Sequence, residues 1–174
     1  MIFCLFIVIF GVILDQLIKW YAATTLSTVA TVPIIPQVFH LTYVENNGAA
    51  FSLFSGQQTF LIIITFILIL GLTFLLWILP KNTKFYSAYL ALTLIICGAI
   101  GNIIDRMRLN YVVDYFDFRL IGFPIFNLAD IFVCLGSAIL ILAMLKNQLP
   151  TSFGELKFYY KARIGKIRSN KNTK

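Results

Sequence analysis

Four stretches of the chain are apolar almost without interruption, and the segments joining them mix polar and apolar residues. Phe60 to Pro80 (FLIIITFILILGLTFLLWILP) holds no charge. At about 1.5 Å of rise per helical residue it just crosses a hydrocarbon core of roughly 30 Å. Phe85 to Ile104 is a second uncharged run, and Leu128 to Leu145 a third that only Asp130 breaks, near its start. At the N-terminus, Met1 to Leu14 is apolar before Asp15, Gln16 and Lys19 interrupt it, and the run resumes through Trp20 and Tyr21. A cleaved signal peptide would need a basic start and an uninterrupted core ahead of its cleavage site, and this segment has neither. The pattern predicts a retained transmembrane helix, with Asp15 and Lys19 at i and i+4 on one face, acid before base, as an intrahelical ion pair.

Between the first two spans the period changes from helical to two. In Gln37 to Val44 (QVFHLTYV), Phe39, Leu41 and Tyr43 alternate with His40 and Thr42, which predicts a half-buried strand. Pro33 and Pro36 punctuate its approach, and Glu45 to Ser52 (ENNGAAFS) follows, where Gly48 permits a tight turn. This connection is expected to form a small sheet on the membrane surface. The division expected is one membrane domain over 1–149, with outer loops at about 26–59 and 107–126, and a polar, partly disordered tail over 150–174.

Composition agrees with that reading. The chain is 60% hydrophobic and 12% charged, against roughly 45–50% and 25% in an ordinary soluble domain. The fold class expected is therefore a membrane all-α protein: a four-transmembrane-helix bundle with a small extracytoplasmic β-sheet and a surface loop or helix. More than half of the 14 Lys and Arg lie from Lys146 to Lys174, and Lys81 and Lys84 lie between the second and third spans. By the positive-inside rule these segments and both termini are cytoplasmic. All of the seven acids except Glu155 then lie in the spans or on the outer side. The net charge of +7 sits mainly in an aromatic-containing tail beside a membrane helix, so anionic lipid head groups are its expected partner rather than nucleic acid. Cys4, Cys97 and Cys134 fall in different spans without metal-ligand spacing, and are expected to be buried, unreactive thiols.

The candidate chemistry is narrow. His40 is the single histidine, which excludes paired-His metal sites and Ser-His-Asp triads, and no phosphate loop or nucleophile elbow is present. Any hydrolysis would use carboxylates. An ionisable group in a bilayer costs about 2.5–3.5 kcal/mol or more, so each one needs a reason. Asp15 with Lys19 can neutralise each other or take a direct part in the site. In GNIIDRMR (Gly101 to Arg108), Asn102, Asp105 and Arg106 project from one side of a helix end, as interfacial anchors or as groups holding a peptide backbone. Asn127 and Asp130 have the spacing of an N-cap with an acidic third residue. Asp114 has no neutralising neighbour, and Asp117 competes with it as a partner for Asp130. Two carboxyls that share a proton can activate a water and polarise a carbonyl. A small transporter or channel, with Asp15, Lys19, Asp105 and Arg106 lining a polar path, is the rival from another class.

The ordered blocks DQLIKW, NNGAAFS, GNIIDR, YVVDYFDF and FNLADIFVCLG, from Asp15 to Lys146, resemble those of the bacterial lipoprotein signal peptidases (signal peptidase II), aspartic endopeptidases of the inner membrane. The resemblance implies Asp114 and Asp130 as the catalytic pair, in place of Asp117. It implies Asn46, Asn102 and Arg106, with Gly48 in the same block as Asn46, as residues that line the cleft and engage substrate or the antibiotic globomycin. Asn127, Asp15 and Lys19 fall at supporting positions, and Glu45 departs from the basic residue common before that Asn. The implied reaction removes the signal peptide of a prolipoprotein just before its diacylglyceryl cysteine, near the outer membrane face, with no metal or other cofactor. Substrate, membrane lipids and the inhibitor globomycin are the expected partners of a monomer.

Overall fold

The computed structural model describes residues 2–48, 54–80, 82–146, 149–150 and 153–172, with 153 and 166–172 described by backbone alone. Four helices are long and apolar enough to cross a membrane: Ile2–Val29 (α1), Gln58–Ile78 (α2), Thr83–Leu109, which comprises a short 3-10 turn and α3 (Tyr86–Leu109), and Leu128–Leu145 (α4). Helix α3 is central and packs against α1, α2 and α4.

The helices are built the reverse way from those of a soluble bundle. The buried residues of α1 are Gly11, Asp15, Lys19, Ala22 and Leu26, one stripe at helical spacing, while Phe6, Phe10, Ile13, Leu17 and Trp20 are exposed. Lipid tails are as apolar as leucine, so greasy faces turn outward at no cost, and small or polar residues make the contacts between helices. On α3, a Cβ at Gly98 would collide with the carbonyl oxygen of Ala129, and one at Gly101 would stand 2.6 Å from Asp15 Oδ2. These glycines let α1, α3 and α4 meet almost backbone to backbone.

Helix α1 has 28 residues, more than the roughly 20 a bilayer requires. Its last turns support a three-stranded antiparallel sheet of β1 (Thr31–Ile35), β2 (Phe39–Asn46) and β3 (Val112–Asp117), in that order. Ala22 and Leu26 of α1 pack with Val113 and Tyr115 of β3 in a buried cluster. A second cluster, with Leu76, Leu79, Phe85 and Leu92, fills the opposite end of the bundle.

Two elements differ from the sequence pattern. Val112–Asp117, expected to be part of a connector, is a strand; β2 runs on through Asn46 and supplies its partner, with Val44 opposite Asp114 and Asn46 opposite Val112. Strand β3 follows α3 at once because Asn110 takes the left-handed conformation (φ 63°), with its N–H on the Arg106 carbonyl. Asn tolerates that conformation better than most residues and ends helices there. The segment expected to be a partly disordered tail forms helix α5, Phe153–Asn172. Of the expected buried thiols, Cys97 is buried and Cys4 half-buried, but Cys134 is exposed, on the stretch of α4 that lines an open cleft.

Candidate active site

Strands β2 and β3 and helices α3 and α4 deliver polar side chains to one place at the sheet end of the bundle. Asn127 begins α4: its Oδ1 accepts from the Asp130 backbone N–H (3.0 Å), and Asp130 Oδ2 accepts from the Asn127 N–H (3.1 Å). This is the capping box that the spacing predicts. The cap also faces a second carboxylate, because Asn127 Nδ2 donates to Asp114 Oδ1 at 2.6 Å. Asn46, next to Asp114 across the β2–β3 ladder, donates its Nδ2 to Asp114 Oδ2 at 2.8 Å. Asn102 of α3 donates to Asp130 Oδ1 at 2.8 Å.

All four carboxyl oxygens of Asp114 and Asp130 thus accept an N–H, and the two groups are spanned by one residue, Asn127. No direct hydrogen bond joins them among the described residues. Burial first, and the neighbouring Asp130 charge second, push Asp114 up to about 7, against the lowering effect of the Asn46 and Asn127 hydrogen bonds.

A layer of charge lies behind this pair. Lys19 Nζ is 3.0 Å from both Asp15 Oδ2 and Asp105 Oδ2, and donates to Asn102 Oδ1 at 2.8 Å. The expected pair of Asp15 and Lys19 is present, and Asp105 is a second acid on the same lysine. Gln16 Nε2 donates to Asp105 Oδ1 (2.8 Å), Asp15 Oδ1 accepts from the Ala129 N–H (3.0 Å), and Asp105 Oδ2 accepts from the Val113 N–H (3.2 Å). Buried charges persist only when paired and hydrogen-bonded. Here the pairing also pins the backbone beside each site aspartate to α1 or α3. Because Lys19 and Asn127 both donate to Asn102 Oδ1, the Asn102 amide must turn its NH2 toward Asp130.

Arg106 reaches the other wall. Its Nη2 donates to the Gly48 carbonyl at 3.0 Å, and its Nε has no hydrogen-bond partner among the described residues. The rest of the small-residue block, 49–52, lies outside the described residues. Between these walls opens a cleft of about 960 Å³, with Asn46, Asn102, Arg106, Asp114 and Asp130 on its polar side and Phe126, Ile131, Val133 and Leu135 on its apolar side. Asp117 is elsewhere. Burial alone would raise it, but Arg119 (2.8 Å) and Thr42 (2.7 Å) outweigh that and hold its carboxyl below the usual range. Glu45 accepts from the Tyr43 hydroxyl at 3.1 Å. Among the described residues, no group of three or more His, Cys, Asp or Glu side chains could hold a metal ion.

The family model described as Signal peptidase (SPase) II matches residues 7–146. The chain belongs to the signal peptidase II family. It is 47% identical over 139 residues to the lipoprotein signal peptidase of Clostridioides difficile, an alignment covering 80% of this chain and 92% of that one. With the lipoprotein signal peptidase of Lactococcus lactis subsp. lactis it shares 43% over 144 residues, covering 83% and 94%. A solved bacterial membrane enzyme, obtained by the in meso method, superposes with a TM-score of 0.75 at 35% identity, covering 86% of this chain and 92% of that chain. The chain is thus a membrane-embedded aspartic peptidase that removes signal peptides from prolipoproteins.

Two residues that sequence reasoning passed over take part in the arrangement. Tyr115 accepts the Leu128 N–H on its hydroxyl at 3.1 Å, tying β3 to the first turn of α4. Gln16 bridges Asp15, Asp105 and the Gly101 carbonyl. A tyrosine adjoining Asp114 and an amide adjoining Asp15 were the available signals, and both are also what a plain strand and a plain helix contain.

Proposed function

We propose that Asp114 and Asp130 are the catalytic dyad of this peptidase, and that it cuts the bond just before the diacylglyceryl cysteine of its precursor. The observation that carries this reading is the convergence of Asn127 on both carboxyls at the head of one cleft. In the working state Asp114 holds a proton and Asp130 is ionised. Asp130 takes a proton from a water held between them, the resulting hydroxide attacks the scissile carbonyl, and the Asp114 proton stabilises the oxygen that becomes negative. Collapse of the tetrahedral intermediate breaks the C–N bond, and Asp130 returns the proton it took from water to the amine of the departing lipidated cysteine. Asn102 and Arg106 hold the substrate backbone, with Arg106 Nε, which has no partner among the described residues, as a donor toward it. Asn46, with Gly48 fixing its turn, and Asn127 keep the aspartates oriented, and Asp15 and Lys19 support them from behind.

The same reading places both termini in the cytoplasm, the dyad near the outer face of the inner membrane, and the lipid chains of the substrate against the apolar wall of the cleft. The working unit is a monomer in contact with membrane lipids, made of a membrane domain over 1–149 and a basic cytoplasmic segment over 150–174, and globomycin competes for the cleft. Of the charges a transporter would need along a path, Asp15, Lys19 and Asp105 are instead engaged with one another.

The test is cleavage of a diacylglyceryl-modified precursor by purified, folded protein. Asp114→Asn and Asp130→Asn are each expected to lower the rate about 10²–10⁴-fold without loss of fold. Undiminished cleavage by either variant would sink the dyad.

A further inference from the structure

Helix α5 lies beyond the residues the family model matches, and nothing in the dyad uses it. It sits at the end of the bundle away from the cleft. Its seat is at Phe85, just before α3 begins, whereas Asn102 and Arg106 stand in the last turns of that 24-residue helix, so roughly 25–30 Å separates them along the axis. Tyr159 meets the Phe85 ring edge-on at 5.9 Å, Tyr160 meets Phe74 and Trp77 at 6.2 and 6.3 Å, and the Arg163 guanidinium lies over Trp77 at 5.7 Å.

Those contacts set how the helix is rotated. Leu156, Tyr159, Arg163 and Ile164 are half-buried and share the bundle side, while Lys157, Phe158 and Lys161 are exposed. Phe158 exposes 67% of its surface, directly beside the two lysines. From 153 on, the sequence sets Lys157, Lys161, Arg163, Lys166, Arg168, Lys171 and Lys174 against the single acid Glu155. Lys84, over the Phe85 ring at 5.5 Å, and Lys146, the C-cap of α4, add charge to the same end.

We propose that α5 is a docking surface for anionic phospholipid. Lys157 and Lys161 hold head-group phosphates, Phe158 enters the boundary between head groups and acyl chains, and the Trp77 and Tyr160 rings mark the level of that boundary. RNA or an acidic protein would satisfy the lysines, but the lipid is favoured because Phe158 and the Trp77–Tyr160 pair lie at the end of a membrane-spanning helix, the level of the head-group boundary. The inference depends on the chain being embedded in a membrane and not on the dyad.

Native mass spectrometry of the full-length protein, released from detergent with equimolar phosphatidylglycerol and phosphatidylcholine, tests it. Phosphatidylglycerol should be retained on the order of tenfold better. That preference should vanish in the Lys157→Gln/Lys161→Gln double variant and when ionic strength is raised to about 0.5 M, where screening is nearly complete within a few ångströms. Equal retention of the two lipids, a preference undiminished in the double variant, or displacement of the lipid by polyuridylate RNA would each overturn the proposal. Cleavage of the diacylglyceryl precursor, assayed on the same preparation, should be the same in the double variant and the wild type. Loss of the peptidase reading would leave the lipid counts unchanged, so the two can fail separately.

Discussion

Asn127 illustrates how much one side chain does at the residue scale. Its amide holds Asp114, its carbonyl oxygen caps the Asp130 N–H, and its own backbone N–H holds Asp130. Asn46 holds Asp114 but not Asp130, and its other contact is the Gly48 N–H on its Oδ1 at 2.9 Å, which makes it the cleaner probe of the two aspartates. The Asp114 carboxyl, pushed up to about 7 by burial and then by Asp130, keeps its proton below that pH and loses it above. Its contribution to stability is therefore fully present below its unfolded value near 3.8 and is lost as pH rises through about 7. Cleavage that needs protonated Asp114 should fall on an alkaline limb near the same pH. The Asn46 hydrogen bond favours the ionised form, so Asn46→Ala should move that limb to higher pH, and a pH–rate profile of the variant reads the shift directly. A limb that stayed in place or moved down would show that Asp114 is not the group being titrated.

At the element scale, close approach of α1, α3 and α4 holds the site together. A methyl at Gly101 would stand 2.6 Å from Asp15 Oδ2 and 3.1 Å from the Ala129 Cβ, pressing on the Asp15–Lys19–Asp105 layer. Gly101→Ala is expected to lower stability by about 1–3 kcal/mol through overpacking and to reduce cleavage with it. Gly71 in α2 has nothing within 4 Å of such a Cβ, and replacing a mid-helix glycine by alanine usually stabilises by about 0.5–1 kcal/mol. Thermal unfolding of the two variants in one detergent should therefore move in opposite directions. Equal shifts would mean that the glycine positions are not what brings the helices together.

On the scale of the whole molecule, the chain has two unlike ends. One carries the sheet, the proposed dyad and the exposed apolar residues Leu120, Ile121 and Phe123; the other carries Lys84, Lys146 and α5. The proposed orientation puts the first end outside the cell membrane. With Cys4, Cys97 and Cys134 changed to alanine, a membrane-impermeant thiol reagent applied to spheroplasts should label Leu120→Cys and spare Lys84→Cys until the cells are broken. The opposite labelling pattern would invert the topology and move the dyad to the cytoplasmic face.

Much of this architecture was legible from local patterns. The four spans, the Asn127–Asp130 cap and the Asp15–Lys19 pair depend on run length or on neighbours three and four residues apart, and the sequence states those directly. Local pattern left Asp114 and Asp117 as equal candidates, and only a resemblance of motifs separated them. In three dimensions the two part because β3 pairs with β2: Asp114 falls beside Asn46, while Asp117 falls beside Thr42 and Arg119. That pairing requires the left-handed turn at Asn110 and the support of α1 beyond the bilayer. Neither local propensity nor hydropathy encodes which strands and helices close on one another, because that closure is decided by contacts between residues far apart in the chain. The sequence alone determined a four-span membrane protein with acids at one end; tertiary packing decided which of those acids face each other across Asn127.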